Sequence, residues 1–183
     1  MMNTPMMLTW GRVAAIPVLV LLFMALPERI AYPVAALLFA LASVTDFLDG
    51  YLARRWQQFT DFGAFLDPVA DKLIVAVALV LLVYRDGGVL LTLAVAIILS
   101  REIFISALRE WMATKGVAAA VKVSIWGKVK TTVQMIAITL CLYHWPLLGL
   151  DVALLGLILL LVAAVLTVVS GVQYAIAAYR VLN

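Results

Sequence analysis

"TDFLDGYLARRWQQFTDFGAFLDPVADKL", residues 45–73, sets Asp46, Asp49, Asp67 and Asp71 close together in a chain that is 67% hydrophobic. Both halves of the stretch have helical spacing. Asp46 and Asp49 are three residues apart and share a helix face. Gly63, Asp67 and Asp71 follow at intervals of four and form a second stripe. Between Tyr32 and Asp46 a helix rises about 21 Å, and between Gly63 and Asp71 about 12 Å. The two stripes can therefore meet at one depth between neighbouring helices.

Those helices belong in a membrane. A chain of 183 residues is about one domain long, and a mean hydropathy of +1.16 with 13% charged residues lies far outside soluble composition. About 20 helical residues cross a hydrocarbon core of roughly 30 Å. Six runs serve, at about 6–27, 31–56, 64–84, 89–113, 124–144 and 148–179. Within lipid the backbone must satisfy its own hydrogen bonds, which makes these runs helices. Punctuation separates them at Pro27-Glu28-Arg29, 57–61, Arg85-Asp86-Gly87-Gly88, 114–122 and His144-Trp145-Pro146. The expected fold is all-α and integral to the membrane, with six transmembrane helices in one domain over residues 1–183.

The basic residues orient it. Of thirteen, Arg29 and Arg85 fall in the first and third loops and the rest on or toward the opposite side, which places both termini in the cytoplasm. The net charge of +3 then reflects sidedness and anionic lipid rather than a nucleic-acid partner. Cys141 stands alone, so no intramolecular disulfide forms, and a small apolar packing role is expected for it. The first run lacks the basic start and small-residue cleavage site of a secretory signal and is expected to stay in place.

Ionisable groups inside a membrane are costly and mark functional sites by default. Four neighbouring carboxylates repel one another, and protonation or bound cations relieve that. A hard divalent cation, Mg²⁺ or Mn²⁺, suits all-oxygen ligation, and two ions would balance four charges. Zinc has no ligands to draw on, since His144 is expected on the far side with Cys141 near it. Two other readings use the same residues: Asp46 and Asp67 paired with Arg54, Arg55 or Lys72, or a proton or cation pathway of a transporter. A transporter predicts ionisable groups along the whole crossing, whereas the outer half here is nearly pure hydrocarbon. Gly50, Ala53 and Gly63 would let backbones and ligands approach closely. Pro68 is expected to kink the third helix or free carbonyls near the site.

Asp46-x-x-Asp49-Gly50-x-x-Ala53-Arg54, eight residues, then Gly63-x-x-x-Asp67-x-x-x-Asp71 resembles in full the signature of the CDP-alcohol phosphotransferase family. "NTPMMLTWGRV" is similar to the family's amino-terminal pattern through Asn3, Pro5, Leu8, Thr9 and Arg12. "FGAFLDPVADK", "REIFISALREWMA" and "GKVKTT" are similar to bacterial members whose acceptor is sn-glycerol 3-phosphate. The resemblance implies a homodimeric six-helix enzyme of the bacterial cytoplasmic membrane, its active site in an intramembrane cavity open to the cytoplasm. It implies transfer of a substituted phosphate from a CDP-alcohol to a hydroxyl, with release of CMP. For these members the donor is CDP-diacylglycerol, and the product precedes phosphatidylglycerol. Asp46, Asp49 and Asp67 would hold metal, with Asp71 a further ligand or the general base. Gly50, Arg54 and Thr60, with Thr9 and Arg12 from the first helix, would hold the CDP portion. The signature handles the donor, so it does not separate glycerol 3-phosphate from inositol phosphate, serine, choline or phosphatidylglycerol as acceptor.

An acceptor that carries phosphate calls for cations beside the metals. Glu102, Ser106 and Arg109 share a face of the fourth helix, and Arg101 lies deep enough to need a partner, either Glu102 or a substrate phosphate. Arg109 with Lys128 is the expected acceptor-phosphate pair, and Arg101 the reserve. Lys115, Lys122 and Lys130 are assigned to anionic lipid headgroups, each worth about 1 kcal/mol near the surface. Trp10, Trp56, Trp126 and Trp145 fall near membrane boundaries, as an aromatic belt would. The outer-side position expected for His144 argues against a catalytic base.

Overall fold

The computed structural model describes the backbone of residues 4–56, 61–117 and 125–182; side chains are described for these except at 4–8, 46–56, 61–62, 64, 125–126 and 182. Among the described residues there are six helices: α1 (Thr4–Ala25), α2 (Glu28–Trp56), α3 (Asp61–Asp86), α4 (Val89–Thr114), α5 (Ile125–Tyr143) and α6 (Val152–Leu182). Each expected run corresponds to one of them, with ends that differ by a few residues. α3 continues through Pro68, which lies within the helix.

The boundaries move where local polar groups settle them. α2 starts three residues earlier than the hydrophobic run, because the Pro27 carbonyl accepts the N–H groups of Ile30 and Ala31 at 2.9 Å each. α6 starts later. Leu147 and Leu150 exchange backbone hydrogen bonds of 3.1 and 2.9 Å around Leu148 and Gly149, both at positive φ. Asp151 then caps the helix by accepting the Leu154 N–H at 3.0 Å. α4 ends in a Schellman motif: Gly116, at φ 72°, donates to Ala113, and Val117 donates to Met112.

Three stretches among the described residues are long and apolar enough to cross a membrane: Glu28–Thr45, Val89–Thr114 and Val152–Val181. Large apolar side chains such as Leu21, Leu37, Val80, Leu93, Ile136 and Val165 are exposed on all six helices. A soluble protein could not carry so continuous an apolar exterior, and a bilayer covers it.

α6 lies along α5 and α4, α1 along α2 and α3, and α2 along α5, while α3 meets α4, α5 and α2 more thinly. Alanines let the backbones close up: Ala31, Ala35, Ala36, Ala78, Ala94 and Ala137 lie in the core with Leu19, Phe39, Leu79 and Ile138. Gly156 is a close approach between α5 and α6, where a Cβ would sit 2.8 Å from both the backbone nitrogen and Sγ of Cys141.

Candidate active site

α1 and α3 meet through their polar residues. Thr9 and Arg12 are three apart on α1 and only 1% and 2% exposed, so one face of the helix turns both inward. The Thr9 hydroxyl donates to Asp67, and the Arg12 guanidinium forms an ion pair with Asp71, one turn further along α3. The two contacts advance in the same direction along both helices, so α1 and α3 run parallel. A buried guanidinium without a counter-charge would be strongly destabilising, and Asp71 supplies that charge. The Asp71 side chain keeps 31% of its surface open.

Asp46, Asp49, Gly50 and Arg54 are carried on the last turns of α2, and their side chains lie outside the described residues, as does all of Thr60. Among the described residues no group of three or more His, Cys, Asp or Glu could hold a metal ion. Asp67 and Asp71 nonetheless supply carboxylate oxygens from one face of α3. An all-oxygen donor set of this kind fits a hard divalent cation, and the remaining ligands would have to come from α2.

A band of polar contacts continues from α3 across the other helices. Lys72, next to Asp71, donates to Ser106 of α4 rather than pairing with Asp67. One turn earlier on α4, Glu102 accepts from both Arg101, at 3.1 Å, and Lys130 of α5. Arg101 also donates to Ser170 of α6 at 3.4 Å. It packs so closely on α6 that a Cβ at Gly171 would lie 3.2 Å from its Cγ. Gln134 and Thr167 are buried beside this band, each with a side-chain oxygen that has no hydrogen-bond partner among the described residues.

The three expected acceptor-phosphate residues therefore fare differently. Arg101 is drawn into the band, with Glu102 as its partner. Arg109 lays its guanidinium over the Tyr174 ring, 5.2 Å from the centroid, and Lys128 is exposed. Lys130 corrects an expectation. It was assigned to lipid headgroups, yet it is 2% exposed and ion-paired. Two residues turn a helix by about 200°, so an outward Lys128 sends Lys130 inward. That periodicity was the available signal. Lys115 is exposed, as a headgroup contact requires, and Lys122 lies outside the described residues.

The opposite end of the bundle holds a separate cluster. Arg85 pairs with Asp86 at 2.6 and 2.7 Å, donates to the Cys141 carbonyl at 2.9 Å and lies over the Tyr32 ring at 4.8 Å. His144 meets Tyr32 edge-on, with ring centroids 5.6 Å apart. Fourteen residues of α3, a rise of about 21 Å, separate Arg85 from Asp71. His144 is thus remote from the carboxylates, as expected. Trp145 stacks on Tyr32 at 6.4 Å, within the bundle as much as at its boundary.

Residues 2–169 match the CDP-alcohol phosphatidyltransferase family. A protein of Pseudomonas fluorescens is 51% identical over 179 residues, which cover 97% of this chain and 91% of the relative. Proteins of Salmonella choleraesuis and Escherichia coli are each 51% identical over 176 residues, covering 96% of this chain and 94% of the relative. All three relatives are named CDP-diacylglycerol--glycerol-3-phosphate 3-phosphatidyltransferase. Similarity of this extent, over a signature whose Asp67 and Asp71 face Thr9 and Arg12, makes the chain a member of the CDP-alcohol phosphatidyltransferase family.

Proposed function

We propose that this protein transfers the phosphatidyl group of CDP-diacylglycerol to sn-glycerol 3-phosphate, giving phosphatidylglycerophosphate and CMP in phospholipid biosynthesis. The observation that carries this reading is 51% identity, over nearly the full length of both chains, to relatives named for that reaction. The arrangement of α1 and α3 supports the reaction class, since it gathers carboxylates, a hydroxyl and a guanidinium where a charged diphosphate would have to be held.

In this reading the acceptor hydroxyl oxygen attacks the phosphatidyl phosphorus, the phosphorus–oxygen bond to CMP breaks, and Asp71 takes the hydroxyl proton. The partly open carboxylate of Asp71 suits that role. Asp46, Asp49, Asp67 and Asp71 would hold Mg²⁺ or Mn²⁺, two ions balancing four carboxylates. Such ions would neutralise the donor diphosphate and the charge that develops on the leaving CMP. Thr9 orients Asp67, and Arg12 holds Asp71 until the diphosphate arrives to share its positive charge. Gly50, Arg54 and Thr60 complete the donor site, and Arg101, Arg109 and Lys128 provide cations for the acceptor phosphate.

The same reading makes the whole chain one domain with six membrane spans, a homodimer in the bacterial cytoplasmic membrane, and both termini cytoplasmic. Parallel α1 and α3, with a short turn between α1 and α2, agree with helices that alternate in direction. The test is CMP release by the purified protein with CDP-diacylglycerol, glycerol 3-phosphate and Mg²⁺, against EDTA and Asp71→Asn controls. Metal-dependent release that requires glycerol 3-phosphate supports the proposal. Release with a different alcohol but not with glycerol 3-phosphate discards the acceptor, and silence with every alcohol discards the reaction.

A further inference from the structure

We propose that Glu102 is a positioning residue for the acceptor phosphate: its carboxylate clamps Lys130 of α5 and Arg101 of α4 into one partly buried, net-positive receptor. This rests on the reading of the acceptor as a phosphorylated alcohol.

The geometry is specific. One Glu102 oxygen accepts from both Arg101 and Lys130. Two cations on one carboxylate leave a single positive charge, in a place where Lys130 is 2% exposed. Arg101 is further fixed by Ser170 and by the close backbone of Gly171 on α6. Its Nε is buried and has no hydrogen-bond partner among the described residues. Structure alone would be served by a balanced pair; here a donor and a charge are left over, which is what an incoming anion requires.

The location also fits. Ser106, one turn beyond Glu102, takes the hydrogen bond of Lys72, the residue that follows Asp71. The triad is therefore tied through one turn of α4 to the stretch of α3 that bears the proposed base. A three-carbon acceptor with its reacting hydroxyl at one end and phosphate at the other needs a fixed cation a short distance from that base. Lys130 and Arg101 come from different helices, and Glu102 is the group that holds them together. Arg109 and Lys128, by contrast, are exposed and free of this clamp.

The experiment compares Glu102→Gln, Glu102→Asp, Lys130→Met and the double variant Glu102→Gln/Lys130→Met in the full-length protein, with kcat and separate KM values for both substrates. Glu102→Gln should raise the acceptor KM roughly ten- to hundredfold, the effect of losing one charge-assisted hydrogen bond, and leave the donor KM within about twofold. Glu102→Asp should recover most of the loss. Lys130→Met should match Glu102→Gln, and the double variant should be no worse than the larger single effect, because all three remove one unit. Should Glu102→Gln fail to fold around an unpaired lysine, the double variant, which removes that lysine, carries the test. A folded double variant with the wild-type acceptor KM, or an equal rise in both KM values, overturns the proposal. If wild type itself releases no CMP with glycerol 3-phosphate, the reaction reading has failed instead, and the two failures are told apart by that control.

Discussion

Thr9→Val separates two roles for a residue that sequence and structure place differently. The resemblance assigns Thr9 to the CDP portion of the donor, whereas its hydroxyl donates to Asp67, a proposed metal ligand. Thr9 is 1% exposed, so valine fills the same space and removes only the hydroxyl. A hydrogen bond to a charged group contributes about 1.5–3 kcal/mol. At about 1.4 kcal/mol per tenfold, that corresponds to a change of roughly ten- to 150-fold. Loss of a group that orients a metal ligand typically costs about 10- to 100-fold in metal affinity or activity, so the two estimates agree. The assay is a Mg²⁺ titration of CMP release at saturating substrates. The half-saturating Mg²⁺ concentration should rise by about 10- to 100-fold in Thr9→Val, with activity recovering at excess Mg²⁺, and Thr9→Ser should restore the wild-type curve. A wild-type Mg²⁺ dependence combined with a raised donor KM would refute the role at Asp67 and return Thr9 to the nucleotide.

Asp71→Asn should slow turnover by about 10²- to 10⁴-fold while donor binding persists, and normal turnover would remove Asp71 from the base role. It should also lower the thermal midpoint, since removing one partner of an ion pair whose guanidinium is buried is destabilising. Arg109→Ala should raise the KM for glycerol 3-phosphate more than that for the donor; the reverse pattern would move Arg109 to the donor site. Gly156→Val should lower stability by about 1–3 kcal/mol or more, read as a lower thermal midpoint in detergent, because its Cβ would meet the Cys141 backbone at 2.8 Å. Cysteines introduced near Glu28 and Tyr84 should react with an impermeant reagent from outside the cell, and reaction from inside would reverse the orientation.

The helices were legible because lipid leaves the chain little choice: a long apolar run must be helical. Hydropathy could not locate the starts of α2 and α6, which depend on the Pro27 carbonyl and the Asp151 carboxylate finding particular N–H groups. The site divides in the same way. Spacing placed Asp67 and Asp71 on one face of α3, and the resemblance brought Thr9 and Arg12 into the same site, but neither supplied the pairing of Thr9 with Asp67 and Arg12 with Asp71. Lys130 was misplaced because a lysine near a helix start has two stable outcomes, solvated or paired. The choice depended on Glu102 from another helix.

That dependence has a consequence for how the bundle finds its register. Leu, Ile and Val side chains on two neighbouring helices are nearly interchangeable with lipid tails, so apolar packing alone discriminates weakly between one helix register and the next. Polar contacts discriminate strongly, because a slip of one turn leaves a charge in hydrocarbon without its partner. Among the described residues, Arg12 joins α1 to α3, Lys72 joins α3 to α4, Lys130 joins α5 to α4 and Arg101 joins α4 to α6. At the other end Arg85 ties α3 to α5 through the Cys141 carbonyl and to α2 through the Tyr32 ring. The contacts that fix the register thus include the side chains that serve the proposed chemistry. A substitution in the band should therefore change helix alignment and substrate handling together, whereas one on the lipid-facing surface, such as Val165→Leu, should leave both intact.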